Sequence, residues 1–321
     1  MKILPVFISH LGCPFKCVYC NQFSITHSVK PDFEKIKYQI EQFSNNEEKK
    51  EVAFFGGTFT GLSKEMQKTL LNLVNIPNTS VRISTRPDFI SEEILQYLKK
   101  KNVTTIELGI QSFYDEVLLK SSRGYNSETA VTACKLIKKH NFNLSIQLMP
   151  GLPFFSDESL KYSIEKTVEL QPEYVRIYPT IVLKNTGLAK MYLDGKYTPL
   201  SLEKAIEIVA KMIEIFDKND INVIKSGLHS DIQGVIAGPY HPSFGELVRI
   251  ENYYKKLITE YNKKMSLVIS NKDISLFKGF SSMMINKIKD NFKINKIPMI
   301  IKPNLNKNEF YFSAEKPDIV W

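Results

Sequence analysis

Residues 10–21 read His10-Leu11-Gly12-Cys13-Pro14-Phe15-Lys16-Cys17-Val18-Tyr19-Cys20-Asn21. This stretch follows an apolar run and holds three of the four cysteines in the 321-residue chain. Three thiolates can hold three irons of a four-iron cluster, which leaves the fourth iron open to a chelating amine and carboxylate. The spacing therefore predicts an iron–sulfur site with Cys13, Cys17 and Cys20 as ligands, and the rest of the chain as its scaffold.

Clustered cysteines also serve as zinc ligands or form disulfides. A structural zinc site needs four ligands, and His10 or His27 is available as the fourth. Cys134 lies within a predicted helix and does not complete a set. A disulfide leaves one of the three cysteines unpaired, and nothing in the sequence indicates secretion. We predict the iron–sulfur cluster, with zinc as the alternative.

The spacing C-x3-C-x2-C, with an aromatic residue before the last cysteine, resembles the signature of radical S-adenosylmethionine (radical SAM) enzymes. In that family the cluster gives an electron to S-adenosylmethionine and releases a 5′-deoxyadenosyl radical, which abstracts hydrogen from a substrate. The resemblance implies a [4Fe-4S] cluster and S-adenosylmethionine as cofactors, with Tyr19 beside them. It also implies an external electron donor such as flavodoxin or ferredoxin.

Short apolar runs alternate with longer amphipathic stretches, the rhythm of βα units around a parallel sheet. We predict strands at residues 3–8, 52–55, 81–84, 105–110, 144–149, 174–178 and 221–225, and helices at 33–43, 64–74, 92–100, 127–140, 157–169 and 201–218. The first six βα units predict an α/β fold, a partial (β/α)6 TIM-type barrel, which is the usual core of the family named above. The cysteine loop follows the first strand, at the end where barrel enzymes carry their chemistry.

A glycine pair, Gly56-Gly57, follows the second predicted strand and precedes Thr58. Adjacent glycines let the backbone approach a ligand closely, although such a pair is also common in plain turns. In radical SAM enzymes a glycine pair at this place meets the methionine amino group. The resemblance therefore implies a cofactor-binding role for all three residues.

Three further segments are similar to oxygen-independent coproporphyrinogen oxidases and, more closely, to the radical domain of the Elongator catalytic subunit. They are Glu107-Leu108-Gly109-Ile110-Gln111-Ser112-Phe113, Ser121-Ser122-Arg123-Gly124-Tyr125 and Gln147-Leu148-Met149-Pro150-Gly151-Leu152-Pro153. The likeness implies Gln111 at the cofactor ribose, Arg123 paired with its carboxylate and the Gly151 backbone near adenine. Gln147 stands where the Elongator relatives carry histidine, so a titrating role is not inherited there.

Residues 176–188 resemble an Elongator-type Tyr-Pro-Thr-Leu-Val run and place Tyr178 and Lys184 on the implied substrate side. A surface lysine is the alternative for Lys184. His241 lies in a loop rich in glycine, proline and aromatic residues and is a candidate proton donor, with a purely structural histidine as the alternative. These three residues are our catalytic candidates.

The C-terminal part carries most of the net charge of +9, since 13 lysines from Glu251 onward accompany only seven acidic residues. We predict a barrel and its extension over residues 1–256, and a small basic α+β domain over 257–321. The predicted order of strands and helices in this domain resembles that of a KH domain. Gly279-Phe280-Ser281-Ser282 would then be the loop between two helices, and this loop would bind RNA. A domain with only a packing role is the alternative.

The segments together predict a radical SAM enzyme that modifies RNA, with tRNA bound through the basic surface and the C-terminal domain. Elongator subunits add an acetyltransferase domain, which this sequence does not show, so we expect a stand-alone relative. The alternatives are a radical enzyme acting on a small molecule or porphyrin, and a non-catalytic cluster-bearing binding protein or chaperone. No apolar run approaches a membrane-spanning length, and we expect a cytoplasmic protein without membrane contact.

Overall fold

The computed structural model describes residues 2–8, 10–22, 24, 32–43, 49–74 and 76–321. The chain forms two compact units, Met1–Pro242 and Ser243–Trp321. The predicted boundary after residue 256 falls inside a helix, Phe244–Glu260, that belongs to the second unit. That helix buries Ile250, Tyr253 and Leu257 in the core of the second unit.

The first unit alternates strands and helices along the chain. Its strands are β1 (Lys2–Phe7), β2 (Lys50–Phe55), β3 (Thr79–Thr85), β4 (Val103–Gln111), β5 (Asn143–Leu148), β6 (Tyr174–Ile177), β7 (Val182–Leu183), β8 (Asn222–Ser226) and β9 (Val235–Ala237). Its helices are α1 (Phe33–Phe43), α2 (Lys64–Asn72), α3 (Glu92–Lys99), α4 (Asp115–Lys120), α5 (Ser127–Lys139), α6 (Asp157–Leu170), α7 (Gly187–Leu193) and α8 (Leu202–Lys218).

Seven of these strands form one parallel sheet in the order β1-β2-β3-β4-β5-β6-β8. Each strand joins beside its predecessor, so the chain progresses in one direction and the sheet curls as in a partial barrel. The predicted α/β partial barrel is confirmed, and its predicted elements agree with the structure to within two residues at each end. Strand β8 extends the six predicted units by one strand, while β7 and β9 form a separate antiparallel pair.

Side chains alternate between the two faces of the sheet. Ile83 and Ile106 are fully buried, as expected for strands covered by helices. Their neighbours Arg82 and Glu107, which point to the opposite face, are also almost fully buried. Charged groups are rarely buried unless they are paired, so the buried charges on this inner face are expected to pair with one another.

Polar capping residues lie immediately before the first residue of most helices in the first unit. In each case a side-chain oxygen accepts a hydrogen bond from a backbone N–H in the first helical turn, which satisfies a donor without an intrahelical partner. The capping residues are Ser63, Ser91, Asn126, Ser156, Thr186 and Ser201. These caps account for the accuracy with which the helix starts are predicted from sequence.

The second unit packs two helices with a small mixed sheet. It contains α9 (Phe244–Glu260), β10 (Ser266–Ser270), α10 (Ile274–Phe292), β11 (Pro298–Lys302), β12 (Phe310–Ser313) and β13 (Ile319–Val320). The sheet order is β12-β10-β11-β13, with β10 and β11 parallel and the outer strands antiparallel to their neighbours.

The prediction of two helices separated by a glycine loop in this unit is wrong, because one helix, α10, spans Gly279. Leu276 and Met284, on opposite sides of that glycine, both enter one apolar core, so a single helix buries the whole stripe. The backbone takes positive φ at Phe280 and Ser282 within this helix. Within the described ranges, no helix of either unit is long and apolar enough to cross a bilayer.

Candidate active site

Backbone hydrogen bonds join the cysteine loop to the glycine loop that follows β2. The N–H of His10 donates to the carbonyl of Gly56 at 2.9 Å, and the N–H of Thr58 donates to the carbonyl of Leu11 at 2.9 Å. The Cys13 sulfur lies 3.2 Å from the Thr58 hydroxyl oxygen. The two loops therefore form one surface at the carboxyl ends of β1 and β2.

Glycine is required at two positions of this surface. A Cβ on Gly12 would lie 2.3 Å from the carbonyl oxygen of Thr58, and Gly12 has a φ of +73°. A Cβ on Gly57 would lie 2.6 Å from the carbonyl oxygens of both Ile8 and Leu11. Since the obstructing atoms are backbone, no rotamer change relieves these clashes.

The three cysteines of the loop differ in exposure but share one electrostatic environment. Cys17 is buried, Cys20 is partly buried and Cys13 is exposed. Burial, followed by the charges of Cys17 and Cys13, raises the pKa of Cys20 to about 12. A cationic metal group removes this penalty and takes thiolate ligands, so the donor set fits an iron–sulfur cluster. The fourth cysteine, Cys134, is buried in α5, where burial raises its pKa.

Among the residues that the structure describes, no three His, Cys, Asp or Glu side chains are grouped around a single metal ion. A cluster makes a different demand, because each thiolate binds its own iron and the sulfurs need not meet at one point. His10, one candidate for a fourth zinc ligand, accepts the Gln22 N–H on its Nε2 atom at 3.0 Å. The other candidate, His27, lies outside the described residues.

Arg123 contacts the cysteine loop and, through Tyr125, the backbone of β4. Its Nη1 atom donates to the sulfur of Cys17 at 3.1 Å and to the hydroxyl of Tyr19 at 3.0 Å. Its Nε and Nη2 atoms donate to the hydroxyl of Tyr125 at 3.1 and 2.8 Å, and that hydroxyl donates to the Gly109 carbonyl at 3.0 Å. Arg123 is thus buried and fixed beside a predicted cluster ligand; its pairing with the cofactor carboxylate stays a prediction.

A second arginine supports this arrangement. Arg86 forms a two-bond fork with Asp88, at 2.9 Å for each bond, and donates to the backbone carbonyl of Arg123. Its guanidinium lies over the rings of Phe15 and Tyr125, 4.9 and 5.3 Å from their centroids. No role for Arg86 or Tyr125 was predicted from the sequence. Arg86 could have been singled out, because the chain has only five arginines.

Two other predicted cofactor residues have left-handed backbone conformations. Gln111, at the end of β4, is buried with a φ of +74°, and its Oε1 accepts from Gln147 at 3.0 Å. Positive φ at a non-glycine residue carries strain and is concentrated at functional sites. Gly151 has a φ of +89°, and its carbonyl accepts from the Tyr197 hydroxyl at 2.5 Å.

A cavity of about 340 Å³ lies on the inner face of the curled sheet. Its lining includes Tyr19, Cys20 and Gly56 from the two joined loops, and Tyr178 from the far side of the sheet. This volume suits a small ligand or one base. Of the three catalytic candidates, only Tyr178 is part of the lining described by the structure; Lys184 is exposed and His241 lies elsewhere.

A buried charged network reaches one wall of this cavity, where Glu107, Arg176 and Tyr178 belong to the lining. Arg82 pairs with Glu51 at 2.8 Å and lies 3.9 Å from Glu107, which in turn lies 3.0 Å from the Nε atom of Arg176. Arg176 donates to the hydroxyl of Tyr178 at 3.1 Å. Glu107 was not predicted as a functional residue. Polar residues at the inward positions of successive strands are the sequence feature that could have indicated it.

The comparisons with known proteins agree with this geometry. Residues 7–167 match the radical SAM superfamily, and residues 172–256 match the C-terminal domain of radical SAM proteins. This chain belongs to the radical SAM superfamily. Enzymes of the superfamily use a [4Fe-4S] cluster and S-adenosylmethionine, in accordance with the cofactors predicted from the cysteine spacing.

This radical SAM protein is similar to the tRNA uridine(34) acetyltransferase of Methanocaldococcus infernus, with 30% identity over 237 residues. The match covers 65% of this chain and 44% of that relative, so the chain spans less than half of the relative's length. The solved structure of Methanocaldococcus infernus Elp3 lacking residues 1–46 superposes with a TM-score of 0.61 and 26% identity, covering 83% of this chain and 70% of that one. The resemblance to Elongator catalytic subunits is confirmed.

A more distant match is coproporphyrinogen III oxidase from Escherichia coli, with a TM-score of 0.53 and 20% identity. It covers 68% of this chain and 52% of the oxidase. This likeness concerns the fold alone, which the two proteins share as a partial barrel.

Proposed function

We propose that this radical SAM protein cleaves S-adenosylmethionine reductively and modifies RNA, with tRNA as the substrate. The observation that carries the proposal is the joined surface of the cysteine and glycine loops, which opens into the cavity of the barrel. When bound, the cluster and S-adenosylmethionine supply a 5′-deoxyadenosyl radical. The chain's own residues hold and orient these groups and exclude water from the barrel.

The proposed roles follow the geometry of the site. The three cysteines of the loop bind the cluster, and Gly56, Gly57 and Thr58 supply a backbone surface close to it. Arg123 and Gln111 are each fixed by side-chain hydrogen bonds, Arg123 to Tyr125 and Gln111 to Gln147, as orienting groups must be. Tyr178 lines the substrate side of the same cavity.

The proposal of a tRNA substrate is supported by the similarity to an archaeal tRNA uridine(34) acetyltransferase and by the positive charge of the chain. Lysines from residue 251 onward provide contacts to phosphates. A reducing protein such as flavodoxin or ferredoxin is proposed as the electron donor. A cytoplasmic location belongs to the same proposal, because thiolate ligands stay reduced in that compartment.

A second candidate function is radical chemistry on a small molecule. The cavity favours it, since its volume of about 340 Å³ can enclose a small substrate without any contribution from RNA. The two candidates share the cofactor chemistry and differ only in what enters the barrel.

The test is anaerobic reconstitution with iron and sulfide, followed by addition of dithionite and S-adenosylmethionine with and without total tRNA. The product to measure is 5′-deoxyadenosine. Stimulation of its formation by tRNA supports the proposed RNA modification, and equal formation without tRNA supports a small substrate. An intact cluster without any 5′-deoxyadenosine contradicts both and supports a non-catalytic binding protein.

The cysteines provide their own matched control. Cys17→Ala removes a predicted cluster ligand, whereas Cys134→Ala removes the buried thiol of α5. We expect Cys17→Ala to lower the iron bound after reconstitution and to abolish S-adenosylmethionine cleavage, and Cys134→Ala to retain both. Equal iron in Cys17→Ala and wild-type protein contradicts the assignment of the cluster.

A further inference from the structure

The inner wall of the barrel cavity carries two cations on neighbouring strands. Arg176 of β6 is paired in register with Lys225 of β8, and both residues line the cavity. Like charges placed opposite each other on adjacent strands repel and destabilise a sheet. Such a pair therefore has an electrostatic cost, which Glu107 reduces on the side of Arg176.

The acidic groups of this wall do not balance the two cations. Glu107 is shared between Arg176, at 3.0 Å, and Arg82, at 3.9 Å, and it also accepts from the Ser145 hydroxyl at 3.3 Å. Within the described ranges, the Lys225 ammonium has no carboxylate in ion-pair contact. Glu51 is occupied by Arg82. The wall thus has more cationic than anionic groups.

Arg176 is held in a fixed orientation toward the cavity. Its Nη1 donates to the Tyr178 hydroxyl at 3.1 Å, and its guanidinium lies over the Phe55 ring, 4.5 Å from the centroid. A planar guanidinium held in this way is suited to a two-bond contact with an oxyanion. Lys225 adds a compact positive charge beside it.

His229 lies close enough to both cations to be affected by their charges. His229 lines the cavity, and its pKa is lowered by burial, then by Lys225, with Asp231 acting in the opposite direction and Arg176 lowering it further. Both cations therefore disfavour the protonated imidazole. A neutral imidazole offers a hydrogen bond without adding a third charge.

We propose that Arg176 and Lys225 form a binding site for an oxyanion, a carboxylate or a phosphate group, on the wall of the cavity. The proposal deepens the proposed function, because it assigns a chemical group to the molecule that enters the barrel beside the cysteine loop. The oxyanion neutralises the pair of cations and fixes the ligand against β6 and β8.

Binding of two probes to the full-length protein tests the proposal without any catalytic readout. Inorganic phosphate and acetate are titrated separately into the anaerobically reconstituted protein by calorimetry, at an ionic strength held constant with sodium chloride. We expect one-to-one binding of at least one probe. Phosphate alone identifies a phosphate group, acetate alone identifies a carboxylate, and binding of neither overturns the proposal.

Lys225→Gln is the decisive variant, with Lys225→Arg as its conservative partner. We expect Lys225→Gln to weaken probe binding about tenfold or more and Lys225→Arg to preserve it. Lys204→Gln, which removes a lysine that pairs with Glu207 on the exposed side of α8 at 3.1 Å, has the same change in net charge. We expect it to leave binding unchanged; equal weakening in both glutamine variants overturns the proposal.

Stability gives a second, independent readout. In buffer free of phosphate and carboxylates, Lys225→Gln relieves repulsion from Arg176, so we expect a urea midpoint equal to or above that of wild type. A lower midpoint means that Lys225 stabilises the fold and overturns the proposal. Probe binding in a protein that forms no 5′-deoxyadenosine contradicts only the proposed function, whereas cleavage without probe binding contradicts only this inference.

Discussion

The Nη1 atom of Arg123 donates a hydrogen bond to the sulfur of Cys17 at 3.1 Å, across 106 positions of the chain. This bond joins the loop between α4 and α5 to the cysteine loop after β1. Tyr125 accepts two further hydrogen bonds from the same guanidinium and anchors it to the barrel backbone. Tyr125 is therefore a positioning residue for Arg123.

Tyr125→Phe removes the hydroxyl but retains the ring. The buried guanidinium then loses an acceptor for two of its N–H groups, and we expect the free energy of unfolding to fall by about 1–3 kcal/mol. Urea unfolding measures the change. Tyr162→Phe is the matched control, since Tyr162 is exposed; an equally large effect there would contradict the role given to Tyr125.

Glu51→Gln tests the charged interior of the barrel. Arg82 and Glu51 have side chains only 2% and 1% exposed and pair at 2.8 Å. Loss of the carboxylate charge leaves a buried cation undercompensated, and we expect a loss of about 3–5 kcal/mol in unfolding free energy. Glu93→Gln breaks the exposed Lys64–Glu93 pair instead, and its urea midpoint is expected to match that of wild type.

Gly57→Ala tests the close contact between the two joined loops. Its Cβ would lie 2.6 Å from two backbone carbonyl oxygens, so we expect a loss of about 1–3 kcal/mol in stability together with reduced iron binding. Gly279→Ala places the same methyl group in open space within α10. It should be neutral or stabilising by up to about 1 kcal/mol in urea unfolding; the reverse order of the two variants would refute this account.

The pH dependence of stability follows from two histidines. Burial and neighbouring lysines lower the pKa of His10 and of His229 from 6.5, while Asp231 partly opposes the shift at His229. The unfolded chain then binds protons at a higher pH than the folded chain, so stability falls as the pH drops through 6.5 toward the lowered values. We expect the urea midpoint to decrease across this window and to decrease less in His229→Gln. An unchanged pH profile in that variant would count against the contribution of His229.

The sequence identified the repeating framework of the first unit because its signals are local. Apolar runs of strand length and polar caps such as Ser156 and Ser201 act within one or two turns of chain. The second unit was harder to predict. Gly279 is a helix breaker by propensity, but the core contacts of α10 override that local preference.

The residues of the candidate site also differ in how well the sequence predicts them. Three cysteines within eight residues reveal a cluster site by spacing alone, because the ligands belong to one loop. The resemblance extended this to Gly56 and Gln111, which lie at strand ends, and to Arg123, which lies between α4 and α5. His241 was a candidate by its residue type and Lys184 by the resemblance to the Elongator-type run, and the structure leaves both outside the cavity lining.

The sequence by itself determined the superfamily, the cluster cysteines and the parallel βα order of the barrel. Only the tertiary structure decided that Arg123 contacts Cys17, that Arg82 is compensated by Glu51, and that Arg176 and Lys225 stand side by side. These relationships join positions that are distant in the chain and are fixed by strand order and register. The spacing of residues in the sequence does not predict these contacts, because they form only when the strands pair in register and the sheet curls.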